Sequence, residues 1–138
     1  MKKCMEVQAV EALKALLRQV SAVRVRDIKI ESPGPRHRKE ILAQIDVYGQ
    51  HHILFCKLKA NGQPRNVQMV LGESRKRAPQ FDEAITPVLI APLLSAEAQA
   101  LCRRRRLCFL DLEGNAHLEL NEVFFGKRCV PRREPVSP

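Results

Sequence analysis

At 138 residues, the chain is predicted to form one domain that buries roughly two-thirds of its unfolded surface. It has 45% apolar and 28% charged residues and no apolar run of the ~18–20 residues needed to cross a bilayer, so a membrane-spanning protein is not expected. The net charge of +9 predicts attraction to phosphate polyanions, and the scarcity of aromatic residues favours duplex backbones over stacked single strands as targets.

The cysteines and the N-terminus indicate a reducing compartment. The five cysteines have no CxxC spacing and no Cys/His cluster with zinc spacing, and their odd number favours free thiols. Two lysines open the chain, but Glu6 interrupts the apolar core that a secretion signal would need. We therefore expect a cytoplasmic protein, with Cys56 as a small core residue of an apolar strand.

The first part of the chain is predicted to form a helix and then a strand. Residues 5–20 repeat apolar side chains at helical spacing, and residues 22–31 alternate apolar and charged side chains as a strand does. The alternation slips by one residue near Asp27, which predicts a β-bulge. Residues 32–35, Ser-Pro-Gly-Pro, predict a turn or short loop.

Residues 39–59 are predicted to form a β-hairpin with an acid near its start and lysines near its end. A tight turn at 48–51 would place Glu40 opposite Lys59 and Leu42 opposite Lys57. Facing β-carbons in such a ladder are only ~4.5–5.5 Å apart. An acid and a lysine that meet in this way form either part of a metal-and-phosphate site or an ordinary cross-strand ion pair.

The second half of the chain is predicted to hold two helices and three strands. In chain order these are a helix over 65–77 with Pro64 suited to its first turn, a strand over 87–91, a helix over 95–105 capped by Ser95, and strands over 107–112 and 116–120. The strands at 87–91 and 107–112 should be parallel, because a helix connects them in a right-handed crossover.

The predicted fold belongs to the α/β (α+β) class and has the element order α-β-β-β-α-β-α-β-β. This order predicts a mixed β-sheet flanked by helices. We expect a single domain over residues 1–128. Residues 129–138 contain three prolines and are predicted to be a disordered tail.

The element order and the hairpin together resemble the restriction-endonuclease-like fold of the PD-(D/E)xK nuclease superfamily. In that family an acid opens the second strand, and the third strand ends in acid-any-lysine. The stretch from Val88 to Ala116 is also similar to bacterial members, and the resemblance covers roughly residues 7–126. It implies that Glu40 is the first acid and Lys59 the lysine, whereas Lys57 replaces the middle acid.

The resemblance implies a degenerate metal site. Mg²⁺ needs oxygen ligands and usually one or two carboxylates, so a lysine at position 57 should lower divalent-metal affinity sharply. In some family members the acid migrates to the following helix, which makes Glu73 the candidate second metal ligand beside Glu40. Gln63 and Gln68 could supply amide oxygens. The cofactor would be Mg²⁺ if the site is active, and otherwise none.

Each candidate site residue also has a purely structural interpretation, which stays open at this point. Glu40 and Lys59 could form a plain ion pair, Lys57 could face solvent or phosphate, and Glu73 could be an ordinary polar helix residue. His51 and His52 lie at a predicted hairpin turn, where exposed polar residues are routine. Three further acids complete the candidates. Asp46 is rejected unless the turn lies elsewhere, because the predicted register pairs it with Ile53, ~13 Å along the strand from Lys57. Glu11 is a distant outsider, and Asp111 is a candidate cap of the following turn.

Clustered cations predict the nucleic-acid contacts. The candidate contacts are Arg36, Arg38, Lys39, Arg75, Lys76, Arg77, Arg103 and Arg104. The arginines from 103 to 106 also end a helix, where cations suit the helix dipole without any DNA contact. The partner would be DNA, or RNA, and the chain could act as a homodimer or with a partner protein.

Three functions therefore remain open from sequence. The first is a nuclease-like DNA-binding domain with a degenerate, weakly active or inactive site. The second is an active Mg²⁺-dependent DNA endonuclease that uses Glu40, Lys59 and Glu73. The third is a basic protein-interaction module without a nucleic-acid function. Lys57 favours the first.

Overall fold

A computed structural model describes residues 4–31, 40–81 and 85–120, and the backbone of 123–127. Within these ranges, seven strands form one mixed sheet in the order β1-β2-β3-β4-β5-β6-β7. The helices are α1 (Met5–Arg18), α2 (Pro64–Arg77) and α3 (Ala96–Arg105), with a short 3-10 turn at Ala78–Gln80. The strands are β1 (Val23–Glu31), β2 (Glu40–Val47), β3 (Gln50–Leu58), β4 (Ile85–Ala91), β5 (Cys108–Asp111), β6 (Ala116–Leu120) and β7 (Val123–Lys127).

The helices cover the two faces of the sheet in two separate layers. Helix α1 packs Leu13 and Leu17 against one face, where alternate residues of β2 such as Ile41 and Ile45 point. Helices α2 and α3 cover the other face. None of the helices in the described ranges has the length and apolar character needed to span a membrane.

Local sequence signals predicted most helix and strand ends correctly. Pro64 is the first residue of α2, and Ser95 caps α3 by accepting a hydrogen bond from the Ala98 amide at 3.0 Å. The register between β1 and β2 shifts between Val25 and Asp27, as the predicted bulge requires. Strands β4 and β5 are parallel, which confirms the predicted parallel pairing of these strands.

The register predicted for the β2–β3 hairpin is wrong. The turn has only two residues, Tyr48 and Gly49, and both have positive φ angles, 52° and 81°. Such a primed turn suits the twist of a hairpin, and it leaves Gln50 inside β3 instead of in the turn. Glu40 therefore faces Lys57 and not Lys59. Because the shift is by two residues, both lysines still point to the same face as Glu40.

Strand β7 was not predicted from sequence. It pairs antiparallel with β6 and lies at the edge of the sheet beyond it. The predicted tail at 129–138 and the predicted loop at 32–35 lie outside the described residues.

Candidate functional site

Strands β2 and β3 and helix α2 together build a cluster of charged side chains. Glu40 begins β2 and faces Lys57 near the end of β3, and Lys59 follows one residue after that strand. These three side chains are only 3–5% exposed. Helix α2 covers the same face of the sheet and brings Glu73 to the two lysines and Arg77, one helical turn further, to Glu40. We call these five residues the charged cluster.

The Lys57 ammonium lies between the two carboxylates of the cluster. Its Nζ is 3.5 Å from Glu40 Oε2 and 4.0 Å from Glu73 Oε2. The other Glu73 oxygen lies 3.0 Å from Lys59 Nζ, an ion pair whose angles fall outside those of a hydrogen bond. Both carboxylates predicted as metal ligands are thus in contact with protein cations.

Arg77 holds Glu40 from the other side. Its Nη2 donates a hydrogen bond to Glu40 Oε1 at 3.0 Å and lies 3.7 Å from Glu31 Oε1. The guanidinium also stacks over the rings of Phe55 and Phe81, at 5.8 Å and 5.2 Å from their centroids. Among the described residues, its buried Nε has no hydrogen-bond partner. Arg77 was predicted from sequence as a nucleic-acid contact, but its side chain is engaged within the charged cluster.

The residues present do not fit a divalent metal ion. Mg²⁺ or Mn²⁺ would need open carboxylate oxygens, whereas those of Glu40 and Glu73 face Lys57, Lys59 and Arg77. In the part of the chain that the structure describes, His, Cys, Asp and Glu side chains form no group of three or more that could hold a metal ion. The cluster is therefore a set of ion pairs rather than a metal site.

The other candidate oxygen ligands lie elsewhere. Gln68 Oε1 accepts a hydrogen bond from Arg105 Nη1 at 3.2 Å, which turns it toward α3. The exposed Gln63 precedes the first residue of α2. Asp46 faces His51 near the hairpin turn and lies 3.6 Å from Arg26, and Glu11 is on α1, which packs on the opposite face of the sheet. These positions agree with the rejection of Asp46 and Glu11 from sequence.

The two hairpin histidines lie in β3 rather than in its turn. His51 Nε2 is 3.3 Å from Gln44 Oε1. His52 is only 5% exposed, so the expectation of an exposed turn residue is wrong for it. Burial lowers the pKa of His52, with a further contribution from the neighbouring His51. Because β3 side chains alternate, His52 points away from the face that carries Lys57.

Asp111 caps the turn that follows it, as predicted. Its carboxylate accepts hydrogen bonds from the amides of Glu113 and Asn115 and from Asn115 Nδ2, at 2.9–3.0 Å. It also accepts one from the Leu94 amide at 2.9 Å, which ties the turn to the loop before α3. This buried acid therefore has a structural role.

The remaining predicted nucleic-acid contacts divide into two groups. Arg75, Lys76 and Arg104 are exposed on α2 and α3, and the exposed Arg103 lies over the Phe109 ring at 5.3 Å. Residues 36–39, which include the other three predicted contacts (Arg36, Arg38 and Lys39), lie outside the described residues. Sequence reasoning did not include the exposed Arg65, which lines a cleft of about 340 Å³ with Lys59, Asn61, Asn66 and other residues of this region.

Comparison with known proteins supports the fold. No protein-family profile matches the chain, and no curated protein matches its sequence. In structure the chain is similar to EndoMS in its apo form, with 12% identity, a TM-score of 0.51, and coverage of 80% of this chain and 47% of that one. It is also similar to a repair endonuclease from Pyrococcus abyssi, with 17% identity, a TM-score of 0.48, and coverage of 80% and 48%. The chain thus spans about half the length of either neighbour. The similarity to EndoMS shows a restriction-endonuclease-like fold.

Proposed function

We propose that this chain is a DNA-binding domain of restriction-endonuclease-like fold whose phosphodiester-cleaving site is degenerate and weakly active or inactive. The observation that supports this most is the Lys57 ammonium between the carboxylates of Glu40 and Glu73. The fold and the basic charge argue for nucleic acid as the partner, whereas this lysine argues against efficient metal-dependent hydrolysis.

The charged cluster would make catalysis inefficient for a physical reason. A metal ion accelerates phosphodiester hydrolysis by activating water and stabilising the charge that develops on the phosphate. Carboxylates that are already paired with buried cations can take such an ion only if those pairs break, and breaking a buried pair is strongly unfavourable. Lys57 is 5% exposed, so its ammonium cannot simply turn out to water.

The exposed cations of α2 and α3 are the best candidates for phosphate contacts. Arg75 and Lys76 lie in the last turn of α2, which covers the charged cluster, and Arg104 lies near the end of α3 in the same helix layer. The cleft lined by Arg65 and Lys59 lies at the N-terminal end of α2 and offers room for a phosphate group. Such contacts position a duplex backbone without reading its sequence.

A salt titration of duplex binding tests the DNA-binding proposal. We expect the affinity to fall steeply with salt, by ~0.9 logarithmic units per logarithmic unit of salt for each neutralised phosphate. The double variant Arg75→Gln/Lys76→Gln should therefore bind more weakly and reduce the slope by up to ~2. The matched control Lys14→Gln/Arg18→Gln removes the same charge from exposed positions on α1, on the opposite face, and should change the slope little.

Three results of this titration would contradict the proposal. No binding at low salt, or an affinity that does not depend on salt, would leave a protein-interaction module as the remaining function. An equal loss in the α1 control would mean that net charge alone causes the attraction. The stoichiometry of the complex would also distinguish a homodimer from a chain that acts alone or with a partner protein.

Cleavage assays separate this proposal from an active enzyme. The active alternative gains one specific observation, because Glu73 does reach the cluster from α2, 3.0 Å from Lys59. We expect little or no cleavage of plasmid DNA with Mg²⁺ or Mn²⁺. Cleavage that both Glu40→Ala and Lys59→Ala abolish would replace our proposal with a metal-dependent endonuclease.

The cysteines fit the proposed cytoplasmic location. Cys56, Cys102 and Cys108 are buried free thiols, and Cys4 is an exposed one. Burial raises the pKa of Cys102 to about 12 and that of Cys108 to about 11, which keeps these thiols unreactive. A reducing compartment would leave them in this form.

A further inference from the structure

We propose that the Lys57 ammonium is a built-in counterion that replaces a divalent cation, and that it closes a latent Mg²⁺ or Mn²⁺ site made by Glu40 and Glu73. This inference rests on the proposed function, since it explains why a nuclease fold would keep two facing acids without using them for hydrolysis. It makes a separate claim about metal binding that can fail on its own.

Position distinguishes Lys57 from the other cations of the cluster. In the part of the chain that the structure describes, Lys57 is the cation that forms ion pairs with both Glu40 and Glu73. Lys59 contacts Glu73, and Arg77 contacts Glu40 and Glu31 at the outer side of the cluster. The ammonium thus lies at the point where an ion bridging the two carboxylates would have to lie.

Charge balance explains why this site excludes a metal ion. Three carboxylates, of Glu31, Glu40 and Glu73, are matched by three cations of the protein. A divalent ion that entered this neutral set would meet Lys57 at close range and would gain little net attraction. Replacing Lys57 by glutamate changes the local charge by two units, which is the charge that Mg²⁺ or Mn²⁺ brings.

Strand geometry indicates that such a replacement would build a usable site. Residue 57 faces Glu40 directly in the antiparallel ladder, where β-carbons are ~4.5–5.5 Å apart. A carboxylate at position 57 would therefore lie beside that of Glu40, with Glu73 above them on α2. Three carboxylates within reach of one point are oxygen ligands of the kind that hard divalent cations require.

Burial keeps the Lys57 ammonium between the two carboxylates in the native protein. The Lys57 side chain is 5% exposed, and its Nζ lies 6.0 Å from the centroid of the Phe55 ring. Withdrawing the ammonium would leave Glu40 with one fewer partner inside the protein. Wild-type protein should therefore not bind divalent cations at this site at millimolar concentrations.

Mn²⁺ titration of the full chain by calorimetry, with electron paramagnetic resonance as a second readout, tests the inference. Wild type should show no saturable binding, and Lys57→Glu should bind one Mn²⁺ at least ~10-fold more tightly, a difference of ~1.4 kcal/mol. Lys59→Glu is the matched control, since it makes the same charge change on an equally buried neighbour whose ion pair within the described residues is with Glu73 and not Glu40. This control should behave as wild type. Adding Glu40→Gln to Lys57→Glu should abolish the binding.

A second variant covers the case in which Lys57→Glu does not fold without metal. Lys57→Met keeps the apolar stem and removes only the ammonium, so it should gain Mn²⁺ affinity over wild type, but less than Lys57→Glu. Saturable Mn²⁺ binding by wild type that Glu40→Gln removes would overturn the inference. So would folded Lys57→Glu or Lys57→Met that binds no better than wild type. Neither result would alter the salt-dependent DNA binding that tests the proposed function.

Discussion

Replacing Glu40 by glutamine should destabilise the fold if the charged cluster is structural. Glu40 is 3% exposed and holds two cations, Arg77 at 3.0 Å and Lys57 at 3.5 Å. The variant keeps the size of the side chain and one acceptor oxygen but removes the negative charge. Lys57 would then be buried beside a neutral amide. In a catalytic metal site, by contrast, removing one of two crowded acids often stabilises the protein.

The expected magnitude follows from the burial of the partners. Removing one member of a buried ion pair costs ~3–5 kcal/mol, and the retained acceptor oxygen favours the lower end, about 3 kcal/mol. Glu31→Gln is the matched control, because Glu31 contacts the same Arg77 at 3.7 Å but is 44% exposed. A screened surface pair of this kind is worth at most ~1 kcal/mol.

Urea unfolding followed by circular dichroism measures both variants. With a typical slope of ~1–3 kcal/mol per molar urea, Glu40→Gln should lower the midpoint by ~1–3 M, and Glu31→Gln should lower it by far less. A Glu40→Gln protein as stable as wild type, or more stable, would refute the argument that this carboxylate is committed to ion pairs.

Two further predictions concern stability away from the charged cluster. Asp111→Ala should lower the free energy of unfolding, measured in urea, by ~3 kcal/mol or more, because the buried Leu94 and Asn115 amides lose a charged acceptor. A decrease under ~1 kcal/mol would contradict this structural role of Asp111. Burial, with Arg103 nearby, lowers the pKa of His117 from its ordinary value of 6.5. As the pH falls, His117 is therefore protonated in the unfolded chain before it is protonated in the folded protein. The free energy of unfolding should consequently fall as the pH drops below 6.5. His117→Gln should flatten this dependence between pH 7.5 and 5, and an unchanged profile would exclude His117 as its source.

Side-chain periodicity was enough to predict the helices and most strands, whereas the hairpin register depended on one turn. The turn residues Tyr48 and Gly49 lack the Asn-Gly or Asp-Gly signal of a primed turn, so a later turn was predicted. The error placed Glu40 opposite Lys59 instead of Lys57. It kept all three side chains on one face, because strand side chains repeat every two residues.

The sequence predicted which residues form the candidate site better than it predicted how they contact one another. Glu40, Lys57, Lys59 and Glu73 do meet in the structure. Arg77 was assigned to DNA because it belongs to a basic run, yet its spacing of four residues from Glu73 places both side chains on the same face of α2. A run of basic residues in the sequence does not show which of its cations form ion pairs inside the protein and which face solvent.

The most direct test of the account is a crystal structure of the wild-type protein grown with millimolar Mn²⁺ and read by anomalous scattering. The account predicts no anomalous peak between Glu40 and Glu73, with density for the Lys57 ammonium in contact with both carboxylates. A Mn²⁺ ion coordinated by Glu40, with Lys57 displaced from the cluster, would contradict it.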